Sequence, residues 1–132
     1  MGRMGIDKEY KKDSGLIFVF GSNRAGIHGA GAARFAWREL GAIWEQGEGL
    51  MGQSYALPTK DEQIQKMKLE QIKEHVDKFI MFAWERTDLR FFVSRIGCGL
   101  AGWADHDIGP LFVDAPPNCV LPYGWGVSDA DT

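Results

Sequence analysis

Glycine-rich segments are the part of this sequence whose composition points most directly to chemistry. The first glycine loop (21–31) and the second glycine loop (97–102) each follow a predicted strand, and a third cluster, "GEGLMG", covers 47–52. Glycines let main-chain N–H groups approach an anion closely, and a helix beginning near Gly31 would add the positive end of its dipole. The spacing of "GIHGAG" is neither the Walker pattern nor the dinucleotide fingerprint. These segments predict a phosphate or diphosphate site, with tight turns and close helix packing as the alternative.

Cysteine and histidine side chains near these loops are further candidates. Cys98 lies within a glycine loop and would become nucleophilic if anion-binding amides stabilised its thiolate. A Cys–His pair would need His28 or His106, which fall in ligand-side loops, whereas His75 is predicted on the solvated side of its helix. A small buried thiol is the alternative for Cys98. The two cysteines and three histidines show no paired ligand spacing, so no metal and no cofactor are expected.

Two tryptophans and a glutamate flank the glycine-rich segments. Trp103 and Trp44 could stack on an adenine or close over a ribose, or they could pack in the core or a lid. Glu48 could reach an adenine amino group or a ribose hydroxyl, or remain an exposed loop carboxylate. Each of the three therefore has a structural alternative to ligand contact.

Strands that alternate with helices must position these loops. Short apolar, β-forming runs predict strands at 16–20, at 54–58 (ended by Pro58), at 89–94 and at 119–122. Helical spacing predicts a helix over 32–43 with Gly41 as its stop, a strongly amphipathic helix over 69–83, and a short helix after Asp105 or Asp107. This alternation predicts an α/β fold with a mixed, largely parallel central sheet flanked by helices. Ligands of such sheets settle at the carboxyl ends of the strands.

The composition is that of one globular domain. The 132 residues are 45% hydrophobic and 25% charged, with a net charge of −3. This balance argues against a dedicated nucleic-acid binder, because neutralising phosphates needs clustered Lys and Arg. No signal peptide or membrane span is evident, and two cysteines without a secretion signal predict a cytoplasmic protein with no membrane partner. We predict a polar segment at 1–14, one domain at 15–122 and a polar tail at 123–132.

Three segments taken together resemble the macrodomain superfamily. They are "HGAGAARFAWRELGAIW", "YALPTK" and "VSRIGCGLAGW", and their order and rough spacing agree with that family over 16–121. The similarity is greatest to the branch that contains the terminal ADP-ribose glycohydrolase of animals and the DNA-deribosylating antitoxins. "RIGCGL" is the most specific element. The resemblance implies a single three-layer, macrodomain-like fold and a ligand built on ADP-ribose, whose diphosphate lies between the two glycine loops.

The resemblance also implies roles for individual residues. Lys60 occupies the position of the lysine that attacks the anomeric carbon in the hydrolase branch; a ligand contact or a solvated helix start are its alternatives. Such an attack needs a deprotonated amine and therefore a desolvated site. Asn23 could hydrogen-bond a ribose hydroxyl or stabilise its turn. The ligand-binding residues expected on this basis are Gly21, Ser22, Asn23, Gly29, Ala30, Gly31, Thr59, Ile96, Gly97, Cys98, Gly99, Leu100, Ala101 and Trp103.

The chain departs from the hydrolase branch at Ala101. There the branch carries an aspartate that assists and resolves the covalent step, and alanine cannot transfer a proton. Asp105 or Asp107 could reach in from the next turn, although both fit as caps of the following helix. We therefore expect a module that binds ADP-ribose or a related NAD-derived nucleotide and could hydrolyse ADP-ribosyl linkages on a modified acceptor. The alternative is a non-catalytic nucleotide-sensing or interaction module with the same fold.

Overall fold

The computed structural model describes residues 10–127. Within them the strands are β1 (Ile17–Asn23), β2 (Gly49–Met51), β3 (Ser54–Lys60), β4 (Phe91–Val93) and β5 (Cys119–Val120). The helices are α1 (Gly31–Glu39), α2 (Leu69–Glu85) and the short α3 (Asp105–Ile108). Single 3-10 turns lie at Lys12–Ser14 and Gly109–Phe112.

The strands form one mixed sheet in the order β2-β3-β1-β4-β5. β1 is parallel to β3 and to β4, β4 is parallel to β5, and β2 alone runs antiparallel, beside β3. The predicted α/β fold with a mixed, largely parallel sheet is therefore confirmed. Because β3, β1 and β4 are parallel neighbours, their carboxyl ends meet at one edge of the sheet.

Helices cover both faces of the sheet, because the central strand is apolar on both sides. Ile17 and Val19 of β1 face one core cluster, which α2 completes. Phe18 and Phe20 face the other, which the shorter α1 completes. Phe79 of α2 is fully buried in the first cluster, and a side chain of this kind contributes about 1.5–3 kcal/mol by its burial. The two clusters give the molecule three layers.

Strand β3 runs past the proline that was predicted to end it. Pro58 lies inside the strand, which continues to Lys60. On one side Pro58 pairs with Ser22 of β1. On the other side, β2 reaches only as far as Ala56 and the Lys60–Lys66 bridge lies beyond Pro58, so Pro58 falls between the two paired stretches. A proline lacks the N–H that a second neighbour would need, and it is tolerated at such a position.

Two further predictions were wrong in part. The third glycine cluster, 47–52, contains strand β2 instead of a ligand-side loop. Helix α1 ends at Glu39, so Ile43 lies outside it and is exposed. Gly41 has a φ of 90°, a left-handed conformation that suits the residue after a helix, and its role as the stop is confirmed. The long helix was correctly predicted, and α3 begins at Asp105.

The packed region is wider than the predicted 15–122. Tyr10 is buried and packs on Phe18, with ring centroids 4.7 Å apart. Trp125 is buried against Phe112 at the other end, with centroids 5.4 Å apart. Of the predicted polar segments, residues 1–9 and 128–132 lie outside the described residues. No helix of the described part is both long and apolar enough to cross a membrane.

Candidate functional site

A cavity of about 620 Å³ lies at the carboxyl ends of β1, β3 and β4. We call it the strand-end cavity. Every predicted site residue except Trp103 lines it, namely Gly21, Ser22, Asn23, Gly29, Ala30, Gly31, Thr59, Lys60, Ile96, Gly97, Cys98, Gly99, Leu100 and Ala101. Its size is within the range of about 300–1,000 Å³ that small-molecule sites occupy. Segments far apart in the sequence are thus brought together at one place.

Close packing of three chain segments forms the floor of the cavity. A Cβ atom at Gly21 would lie 3.4 Å from both the amide nitrogen of Gly97 and Oγ1 of Thr59. Gly97 has a φ of 75°, and a Cβ there would lie 3.1 Å from Cδ1 of Ile108. The positive φ of Gly97 therefore favours glycine at that position, and Gly21 packs closely against both neighbouring segments.

The first wall is made by the first glycine loop and the start of α1. The side-chain amide of Asn23 donates to the carbonyl of Ile27 and accepts from its N–H, both at 2.9 Å. Asn23 is therefore engaged in stabilising its turn. The first N–H groups of a helix have no intrahelical partner, and no side chain caps the start of α1. Gly31, Ala32 and Ala33 bring those groups to the cavity.

The second wall is the second glycine loop. Its turn is held by hydrogen bonds from the Gly102 N–H to the Gly99 carbonyl, at 3.0 Å, and from the Trp103 N–H to the Gly97 carbonyl, at 2.8 Å. Within residues 10–127 the N–H groups of Gly99, Leu100 and Ala101 have no backbone acceptor. Two sets of main-chain N–H groups, one in each wall, can therefore donate hydrogen bonds to an oxyanion.

Two glycines in these walls are not explained by backbone geometry or packing. Among the glycines of the described residues, only Gly29 and Gly99 combine an ordinary φ with open space where a Cβ would project. Both line the strand-end cavity. Since neither the turn nor a neighbouring atom excludes a side chain at these positions, the free space lies where a bound group could approach the backbone.

The electrostatics of the strand-end cavity differ from those of the chain as a whole. The chain carries a net charge of −3, yet no Asp or Glu is among the residues that line the cavity, whereas Lys60 and Arg95 are. Arg95 donates to Asp105 through two hydrogen bonds, of 2.9 and 2.6 Å. Lys60 forms no salt bridge with any described residue. The cavity thus favours an anionic ligand.

A carboxylate near the Ala101 position is not available from the next turn. Ala101 is buried and lines the cavity. Asp105 accepts from Arg95 and from the indole N–H of Trp125, the latter at 2.9 Å. Asp107 accepts from the N–H of Ala104 at 3.0 Å, as a residue of the first helical turn does. Neither aspartate lines the cavity. Asp107 has the predicted capping role, whereas Asp105 holds the Arg95 and Trp125 side chains.

Cys98 is not arranged as a nucleophile. Burial, followed by the negative charge of Asp105, raises the pKa of the Cys98 thiol to about 11, so it is protonated at neutral pH. His28 is fully buried, and its Nε2 donates to the carbonyls of Ile43 (2.8 Å) and Gln46 (3.1 Å). His106 is exposed, beside Asp107. In the described part of the chain, Cys98 therefore has no histidine partner.

The remaining predicted contacts lie outside the cavity. The ring of Trp103 lies under Nζ of Lys66, 3.8 Å from the ring centroid. Trp44 packs on Trp37, with centroids 5.0 Å apart. Glu48 accepts from Nδ1 of His75 at 2.6 Å. These side chains are placed by tertiary packing, and none lines the strand-end cavity.

His75 is buried, contrary to the prediction that it is solvated. Arg24 donates from Nε to its Nε2 at 3.3 Å, so His75 connects Arg24 to Glu48. The helical periodicity indicated this burial, because His75 stands three residues after Ile72 and four before Phe79, both of which lie in the core.

Several cavity residues were missed by the sequence reasoning. They are Ile27, Ala32, Ala33, Ile64, Ser94 and Arg95. Ser94 and Arg95 directly follow β4, so their position at a strand end was the available signal. For Ile64 the sequence contained no such signal. Its position depends on how the segment after Lys60 folds back onto the strand, where Lys60 and Lys66 form an isolated antiparallel bridge.

Comparison with known proteins adds no constraint on the ligand. The chain matches no family model, no curated protein and no solved structure. Among residues 10–127 no three His, Cys, Asp or Glu side chains come together as metal ligands would. The features that bear on function are therefore those of the strand-end cavity itself: main-chain N–H groups without acceptors in both walls, two open glycines and an excess of positive charge.

Proposed function

We propose that this protein is a macrodomain-like module that binds ADP-ribose or a closely related NAD-derived nucleotide in the strand-end cavity. The diphosphate lies between the two walls, where the start of α1 and the N–H groups of Gly99, Leu100 and Ala101 donate hydrogen bonds to it. Such charge-assisted bonds are stronger than neutral ones. The identity of the groups on either side of the diphosphate rests on the resemblance of "HGAGAARF" and "RIGCGL" to the macrodomain family.

The observation that carries the proposal is the pair of open glycines. Tight turns explain a glycine of positive φ, and close packing explains one whose Cβ would meet a neighbour. Gly29 and Gly99 meet neither condition and face the same cavity from opposite walls. A ligand that approaches both backbones supplies the missing reason for glycine at each position.

Hydrolysis of an ADP-ribosyl linkage is a second candidate function. The observation that favours it is the position of Lys60, whose side chain lines the cavity and has no carboxylate partner among the described residues. In this reaction Lys60 Nζ attacks the anomeric carbon of the terminal ribose, the acceptor leaves, and water then releases ADP-ribose. Ala101 supplies no proton transfer to either step, so we expect turnover to be slow.

The first experiment is calorimetric titration of the purified protein with ADP-ribose, with ADP and NAD as parallel ligands. We expect saturable binding of ADP-ribose that is tighter than that of the other two. The same preparation is then incubated with an ADP-ribosylated protein, and release of ADP-ribose is followed over time. Binding without release supports the sensing function, and binding with release supports hydrolysis. No heat with any of the three ligands would refute both.

A further inference from the structure

Two large apolar side chains stand exposed at the rim of the strand-end cavity. Leu100 is 77% exposed and Ile64 is 39% exposed, and both line the cavity. Leu100 belongs to the second glycine loop, and Ile64 to the segment that follows Lys60. Exposed apolar side chains at the mouth of a cavity gain from contact with a ligand, because that contact removes their surface from water.

Ile64 is also held in an unfavourable backbone conformation. Its φ is 62°, and a β-branched residue in the left-handed region is a genuine outlier. Oδ1 of Asp61 accepts from the N–H groups of Gln63 and Gln65, each at 2.9 Å, and the Ile64 N–H donates to the Asp61 carbonyl at 3.1 Å. The segment is therefore folded by Asp61, which keeps Ile64 at the cavity rim despite the strain.

The two rim segments are joined to each other. Lys66 ends the segment of Ile64, and its Nζ lies 3.8 Å from the ring centroid of Trp103. Trp103 directly follows the second glycine loop, and its N–H donates to the carbonyl of Gly97. The Lys66–Trp103 contact therefore fixes the side of the cavity that carries Ile64 relative to the side that carries Leu100.

We propose that Ile64 and Leu100 are specificity-determining residues that contact the apolar face of the sugar ring attached to the far side of the diphosphate. This inference rests on the proposed binding of ADP-ribose. Leu100 is in the loop whose N–H groups bind the diphosphate, and Ile64 is four residues after Lys60, which faces the terminal ribose in that proposal. The C–H groups of a ribose are the apolar part of that sugar, and covering them removes apolar surface from water on both partners.

The test compares two rim variants with two matched controls. Leu100→Ala removes an exposed apolar side chain, and Met81→Ala removes one of similar exposure, 66%, from α2 away from the cavity. Ile64→Gly relieves a positive φ, and Glu45→Gly relieves the same kind of strain, at φ 73°, outside the cavity lining. Each protein is titrated with ADP-ribose and with ADP, and its melting temperature is measured.

We expect Leu100→Ala and Ile64→Gly to weaken ADP-ribose binding by about tenfold each, which corresponds to about 1.4 kcal/mol. Binding of ADP should change less than about twofold, since ADP lacks the terminal sugar and Leu100→Ala keeps the main-chain N–H that the diphosphate uses. The controls should bind both ligands as the wild type does. The melting temperature of Leu100→Ala should stay unchanged. This variant therefore tests the contact with the terminal sugar even if Ile64→Gly folds poorly.

Other results separate this inference from the proposed function. Equal loss of ADP and ADP-ribose affinity would overturn the assignment to the terminal sugar, as would full retention of both. If the wild type binds ADP-ribose and both rim variants bind it equally tightly, only the role of Ile64 and Leu100 is refuted. Wild-type protein that binds neither ligand refutes the proposed function and the inference with it.

Discussion

Adding one methyl group at Gly99 should raise the stability of the protein and lower its affinity for ADP-ribose. Gly99 has an ordinary φ, and a Cβ built on it meets no atom within 4 Å. Replacing such a glycine by alanine reduces the entropy of the unfolded chain and stabilises a protein by about 0.4–1 kcal/mol. For a chain of this length, we expect the melting temperature to rise by roughly 1–4 °C. Gly29→Ala should behave in the same way.

The loss of affinity follows from the space that the methyl group would occupy. In the proposed complex the diphosphate approaches the N–H of Gly99, and a methyl group there would push it away. Losing one hydrogen bond to a charged group removes about 1.5–3 kcal/mol, which is a loss of roughly 10- to 150-fold in affinity. Differential scanning calorimetry and isothermal titration calorimetry measure the two effects on the same samples.

Gly124→Ala is the contrasting control. Gly124 is equally open, but its φ is 85° and it does not line the strand-end cavity. Alanine there should destabilise the fold by about 1–2 kcal/mol through backbone strain, with no change in affinity. A Gly99→Ala variant that becomes more stable and still binds ADP-ribose as tightly as the wild type would show that the open space at Gly99 is not ligand space.

Three further predictions concern residues around the cavity. Lys60→Ala should abolish release of ADP-ribose while binding weakens less than tenfold, and Lys60→Arg should be equally inactive; turnover that survives both would exclude Lys60 as the nucleophile. For Asp105, burial raises its pKa, but hydrogen bonds from Trp125 and Arg95 outweigh this, and the pKa lies below its ordinary value. The stabilisation from Asp105 is therefore complete above about pH 4 and is lost as the pH falls through the folded pKa. The Asp105 and Arg95 side chains are about half exposed, so Asp105→Asn should lower the free energy of unfolding by only about 0.5–1 kcal/mol at pH 7, measured by urea unfolding. At about pH 3 the decrease should be smaller, and an equal decrease at both pH values would contradict this account. His75→Ala leaves Glu48 and Arg24 without their shared partner, so it should cost about 1–3 kcal/mol, whereas exposed Lys73→Ala should change stability by less than about 0.5 kcal/mol.

The fold was largely predictable because its main signals are local. Phe18 and its neighbours form an unbroken apolar run, which is typical of a strand covered on both faces, and Phe79 belongs to a regular helical stripe. Strand β2 was missed because it has only three residues, one of which is Gly49, and so carries little strand preference of its own. It forms because β3 offers an antiparallel partner, which is a non-local interaction.

The candidate site shows the same division between local and non-local information. The absence of side chains at Gly29 and Gly99, and a lysine at the end of a strand, Lys60, can be read from the residues alone. The tertiary structure brings these positions into one cavity, since parallel strands distant in the chain end at the same sheet edge. The tertiary structure also places the Trp103 ring against Lys66 and brings Ile64 to the rim. Packing and loop hydrogen bonds set these side-chain directions, and no pattern along the chain encodes them.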